Sequence, residues 1–224
     1  MSLHTRNPRL GILIEILVAS GVLLSGALKI LPFGSMSILI LMGTVSVWLR
    51  SEGLRGIGLD RHRLGLKIVL LSSAFGVFYQ AVSLVVLDPL AAHLTGVTQD
   101  LSNFAVIRGN SRLLMRYLIV VWIVAAFGEE FVFRGYLLNR IAQLQENSHA
   151  ARWMGVVFSS ILWTFVHFYQ GVAGAMLIAV HGVVFGGLYV LAGRNLWVTI
   201  VVHGVYDTTA LLLIFFGRYP NLGS

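Results

Sequence analysis

Long apolar runs recur along the 224-residue chain, at 10–28, 36–49, 66–87, 113–138, 153–169, 171–192 and 196–216. A helix needs about 20 apolar residues to cross a bilayer, and helical winding satisfies the backbone amides that lipid leaves unpaired. The runs therefore predict an all-α fold, a single integral membrane domain built as a polytopic helical bundle of about seven transmembrane helices. The 36–49 run is short unless it borrows 30–33, where Lys29, Pro32, Gly34 and Ser35 break the pattern. Asp88-Pro89 is expected to close the third span, leaving 90–110 as an interfacial loop or short helix, and Gln170-Gly171 reads as a minimal turn. Only 11% of residues are charged, against about 25% in soluble domains.

The net charge of +7 does not point to nucleic acid, because the basic residues are spread over loops rather than gathered on one face with aromatics. Membrane topology accounts for them better. Arg50, Arg55, Arg61, Arg63 and Lys67 crowd one loop, which the positive-inside rule makes cytoplasmic, with a cytoplasmic N-terminus in a multi-pass plasma (inner) membrane. Arg108, Arg112 and Arg116 lie on the opposite side. Arg6 and Arg9 precede the first run as in a signal peptide, but without a convincing cleavage site that run is read as a span that stays attached. Cys is absent, which removes thiol nucleophiles, disulfides and cysteine metal sites. Gly182 and Gly186, four apart, read as close-packing positions for a neighbouring helix.

Within the 113–138 run stands Phe127-Gly-Glu-Glu-Phe-Val-Phe-Arg-Gly135. A charge near the bilayer centre costs about 2.5–3.5 kcal/mol even on the lenient scale, so Glu129, Glu130 and Arg134 must face protein or water. Glu130 and Arg134 share a helix face, whereas Glu129 is turned about 100° away, so one carboxylate is expected to be neutralised and the other left free. The later spans add His167, His181, His203 and Asp207, with His203 and Asp207 again four apart. Two kinds of site can be built from this set. His167, His203 and a carboxylate from Glu129 or Asp207 would hold zinc with an open position. Alternatively Glu129 with His167 would activate water while His203 stabilises the oxyanion. Both predict hydrolysis. Neither a His-Glu-x-x-His nor a Gly-x-Ser-x-Gly motif occurs. His181 is most simply an interhelical hydrogen bond, Glu15 is expected to turn to a helix neighbour or the interface, and His4, His62, His93 and His149 sit in polar connections.

Glu129-Glu130-x-x-x-Arg134, Trp163-x-x-x-His167 and His203-x-x-x-Asp207, in that order on successive apolar segments, resemble the CAAX protease and bacteriocin-processing (CPBP, or Abi) family of intramembrane proteases, which includes the Ras-converting enzymes. The likeness covers about 113–216, the family-like catalytic core. It implies a membrane peptidase in which Glu129 and His167 activate water while His203 and Asp207 line the site and stabilise the tetrahedral intermediate, with Glu130 and Arg134 in support. Members are classed as metalloproteases, and a metal-independent glutamate mechanism is argued for some, so both zinc and metal-free chemistry stay open. Trp163 stands where the family commonly has Phe, a conservative change for an apolar wall, and Asp207 where the eukaryotic enzymes have Asn. An ionised Asp207 cannot donate to an oxyanion and would instead orient His203 or bind metal. The primary expectation is an endopeptidase cutting membrane-associated peptides or proteins; the compact length suggests a bacterial source, for which prenylated CAAX ends are not the expected targets. The alternatives are a non-catalytic scaffold or bacteriocin-immunity protein of the same fold, and a proton or ion carrier.

Overall fold

The computed structural model describes residues 8–31, 35–220 and 222. His4 and Arg6, and Pro32 and Gly34 of the expected break, lie outside the described residues. The chain forms helices α1 (Pro8–Ala27), α2 (Ser35–Leu49), α3 (Leu66–Thr95), α4 (Ser111–Leu144), α5 (His149–Val166), α6 (Gly171–Leu191) and α7 (Leu196–Phe215), with no strand among the described residues. Five helical segments are long and apolar enough to cross a membrane: α1, α3, α4, α7 and the segment Phe168–Leu191 that contains α6. α2, at 15 residues, is shorter, and α5 begins with the polar His149 and Arg152. Each expected run is thus a helix, while five rather than seven meet the length and apolarity of a span.

Two boundaries differ from the sequence reading. Pro89 does not end α3. Ser83–Leu87 widens into a π-helical turn, and Pro89 then falls in the first turn of the continuation Asp88–Thr95, where its missing N–H costs least. The helix stops instead at Gly96, whose φ of 74° is a left-handed cap that suits glycine. α4 likewise runs past 138, into the stretch between the 113–138 and 153–169 runs, because its next two residues are buried with partners. Asn139 Nδ2 donates to the carbonyls of Gly135 at 2.7 Å and Arg134 at 3.2 Å, and to the Tyr189 hydroxyl at 2.7 Å. Much of α4 is π-wound, over Val121–Glu129 and Phe131–Leu138, and the Asn139 amide serves carbonyls at the end of that stretch.

α5 and α6 approach closely where the glycines were expected to allow it. A Cβ on Gly182 would stand 2.7 Å from Ser160, and one on Gly186 2.8 Å from Val156. The basic loop and the Arg194 turn meet at one rim of the bundle, as two loops on one side of a membrane must. Arg63 donates to the carbonyls of Ala192 at 2.9 Å, Gly193 at 3.1 Å and Arg194 at 3.3 Å, capping the C-terminus of α6. Trp197 Nε1 donates to the Asp60 carbonyl at 3.1 Å, and the Tyr189 hydroxyl to that of Ile57 at 3.0 Å.

Glu15 turns inward to its helix neighbours. It accepts from Ser46 on α2, pairs with Arg50, and lies 3.2 Å from Arg140 Nε on α4. Arg140, fully buried, reaches both oxygens of Glu52 at 3.0 Å and Gln143 at 2.8 Å. Removing one partner from a buried charge network costs about 3–5 kcal/mol, whereas exposed pairs are worth about 0–1 kcal/mol. Arg140→Met should therefore lower thermal stability in detergent by about 3 kcal/mol. Arg9→Ala, which removes a pair with Glu146 whose side chains are 64% and 82% exposed, should change it by less than about 1 kcal/mol.

Candidate active site

The π-wound middle of α4 brings Glu130 and Arg134 into the bundle interior, their side chains 0% and 1% exposed. Arg134 Nη1 lies 3.0 Å from Glu130 Oε1, and the same oxygen accepts from His203 Nδ1–H on α7 at 3.0 Å. The guanidinium carbon sits 4.4 Å from the centre of the Trp163 ring on α5 and 5.7 Å from that of Phe185 on α6, and Arg134 Nη2 donates to the Gly182 carbonyl at 3.4 Å. A cation removed from water persists when it is paired and its donors and face find partners. Those partners come from α5 and α6, and Glu130 adds His203 of α7, so the ion pair ties α4 to α5, α6 and α7.

Glu129 faces elsewhere. Its Oε2 accepts from Trp163 Nε1–H at 2.6 Å, and its Oε1 lies 4.0 Å from His167 Nε2. His167 follows the last turn of α5, where its Nδ1–H donates to the Trp163 carbonyl at 3.0 Å, four residues back. That bond fixes the ring and leaves Nε2 turned to Glu129. On α7, His203 Nε2 is 3.4 Å from Asp207 Oδ2. The four-residue spacing on one helix face places the carboxylate where it can orient the imidazole.

Glu129, His167, His203 and Asp207 all line a single cavity of about 380 Å³, together with Trp163, His181, Tyr206 and an apolar wall from Val120, Val121 and Val124 of α4 and Ala210, Leu211 and Ile214 of α7. The side chains of Glu129 and His167 are 13% and 14% exposed, so they meet the cavity while Glu130 and Arg134 stand behind them. Gln99, Leu101 and Phe104 contribute to the lining from the segment after α3, at the rim opposite the basic loop. His181 bridges helices: the Tyr79 hydroxyl of α3 lies 2.8 Å from its Nδ1 and the Tyr206 hydroxyl of α7 2.9 Å from its Nε2.

Among the described residues, no group of three His, Asp or Glu side chains is arranged to hold a metal ion. His203 gives Nδ1 to Glu130 and turns Nε2 to Asp207, while Glu129 and His167 face each other across 4.0 Å. The set His167, His203 and Glu129 therefore does not form a ready three-ligand centre. Two features escaped the sequence reading. Trp163, expected as a conservative apolar wall, is also a hydrogen-bond donor to Glu129. Gln80, an amide inside the apolar third run, lines the cavity from α3, outside the later spans that carry the motifs.

The fold is an all-helical bundle with several segments long and apolar enough to cross a membrane, as in a multi-pass membrane protein. Residues 111–209 match the family described as Type II CAAX prenyl endopeptidase Rce1-like, so the likeness drawn from the three motifs holds over α4 to α7, just under half of the chain. No curated protein and no solved structure matches the chain.

The two adjacent glutamates should differ in what they do for stability. Glu130→Ala strands Arg134 in the interior and should cost about 3–5 kcal/mol. Glu129→Ala removes a group at the cavity wall and should cost about 1 kcal/mol. Thermal unfolding of both variants in one detergent measures the difference, and equal losses would contradict it.

Proposed function

We propose that the chain is an intramembrane endopeptidase that hydrolyses membrane-associated peptides or proteins with a water activated by Glu129 and His167. The observation that carries this reading is the 4.0 Å separation of Glu129 Oε1 and His167 Nε2 at the wall of a cavity that also holds His203. A water donating to both acceptors fits that gap, with its lone pair turned toward a peptide carbonyl in the cavity. As the water oxygen bonds to the carbonyl carbon, Glu129 takes its proton. His203, with Nδ1 held by Glu130, presents Nε2–H to the developing oxyanion. Asp207, 3.4 Å from the same Nε2, accepts from that N–H at rest and shares it with the oxyanion as the charge develops. Collapse of the tetrahedral intermediate breaks the C–N bond, and the proton held by Glu129 passes to the leaving nitrogen.

Trp163 has a place in this scheme that phenylalanine could not fill. Its N–H occupies Oε2 of Glu129, which leaves Oε1 as the oxygen that meets water. Hydrogen bonds to charged groups are worth about 1.5–3 kcal/mol, so Trp163→Phe should lower kcat at least about tenfold. His167→Ala should lower it by about 10²–10⁴. Cleavage of quenched-fluorescent peptides in liposomes by folded variants measures both, and treatment with a zinc chelator should leave the wild-type rate unchanged. Cleavage that continues in His167→Ala would overturn the catalytic assignment, as would a biological activity that survives both substitutions. Loss of cleavage on chelation would assign the chemistry to a metal instead.

A further inference from the structure

On the cavity side of α3, the polar groups next to Gln80 already have partners. The Tyr79 hydroxyl is with His181 at 2.8 Å, and Ser83 Oγ donates to Asp88 at 2.9 Å and accepts from Tyr206 at 3.1 Å. Gln99, at the rim, is bonded to Gln170 at 2.7 Å. Gln80 alone of these is different: it is 1% exposed, it lines the catalytic cavity, and neither its amide nitrogen nor its amide oxygen has a hydrogen-bond partner. The Tyr219 hydroxyl comes within hydrogen-bonding influence of the amide, but not at the distance and angle of a formed bond. Leaving a buried polar group unpaired costs about 1–3 kcal/mol, which leucine or methionine at this position in an apolar run would avoid. A group kept at that cost, on the wall of a substrate cavity, is complementary to something that enters the cavity.

The chemistry of the amide says what. A carboxamide offers one acceptor and two donors, and a peptide unit offers one donor and one acceptor, so the two pair face to face. A transmembrane helix has nothing to give such a partner, since its own N–H and C=O groups are bonded internally. Only an unwound segment has them free. The rest of the lining, with Val121 and Val124 on one side and Leu211 and Ile214 on the other, suits apolar side chains.

We infer that Gln80 is a substrate-binding residue that docks the backbone amide of an extended, apolar peptide segment in the cavity, and so selects unwound over helical substrate. The inference rests on the endopeptidase reading for what happens to the docked segment, but binding can be read without turnover.

The test is a cycle between protein and peptide. A fluorescein-labelled Leu/Val-rich decapeptide and its analogues, each with one backbone amide replaced by an ester, are titrated onto full-length protein in detergent. Both Glu129→Ala and Glu129→Ala/Gln80→Met proteins are used, and thermal unfolding of Gln80→Met is recorded alongside. Gln80→Met should weaken binding about tenfold, the size of one or two peptide hydrogen bonds. One ester position should weaken binding to Glu129→Ala by a similar factor and have no further effect once Gln80 is gone. The free protein should unfold at the same or a higher temperature, since an apolar replacement removes an unpaired group. Undiminished binding by the Gln80→Met protein, additive effects of every ester, or a fall in stability with unchanged binding would each overturn the inference. Persisting peptide cleavage by Glu129→Ala overturns the Glu129 mechanism, a separate result that leaves the binding comparison to decide on Gln80.

Discussion

The ion pair between Glu130 and Arg134 is the interaction on which the rest of the motif-bearing half depends. Two charges removed this completely from water are stable only while both remain. The carboxylate holds Arg134 and His203 together, and the guanidinium reaches Gly182 and the faces of Trp163 and Phe185. Four helices therefore share one electrostatic anchor. The groups proposed to react stand on it: His203 is oriented from behind by Glu130, and the ring of Trp163 that covers Arg134 also carries the N–H that holds Glu129. Adjacent glutamates thus have opposite duties, one closed off to hold the bundle and one open to the cavity.

The winding of α4 suits that division. π-helical turns leave the ladder less tightly closed and recur at functional positions. Here the π-wound stretches lie on both sides of Glu130, and the Asn139 amide takes up carbonyls at their end. A second buried network, Glu15 with Arg50, Arg140 and Glu52, anchors the other end of α4 to α1 and α2. The motif helix is consequently held by charges at its middle and near its C-terminus, with the cavity between α4, α7 and the end of α5.

Much of this could be read from the residues because charge in an apolar run is so constrained. The separation of Glu129 from Glu130, the partnership of Glu130 with Arg134 and the close approach at Gly182 and Gly186 all follow from helical phase or from size, which are local properties. What could not be read depends on partners far away in the chain. Pro89 is absorbed by a π turn in α3, and α4 continues past 138 because Asn139 finds Tyr189 and Arg140 finds Glu15 and Glu52. Hydropathy counts apolar length and not shelter, so α2 and α5 read as spans although among the described residues they fall short of the length or apolarity the other five reach. Trp163 counted as an apolar wall because its indole N–H acquires meaning only opposite Glu129, and Gln80 was passed over because it lies outside the motif-bearing half.

In the proposed mechanism Glu129 is the base and Glu130 is not. Single-turnover cleavage of a liposome-inserted peptide by Glu129→Gln tests it most directly, since the amide keeps the size of the carboxylate and an acceptor for the Trp163 N–H but cannot take the proton. The account requires substrate to remain bound and intact, with the cleavage rate down by about 10²–10⁴ and the unfolding temperature near that of the wild type. Cleavage at the wild-type rate by the folded variant would contradict it.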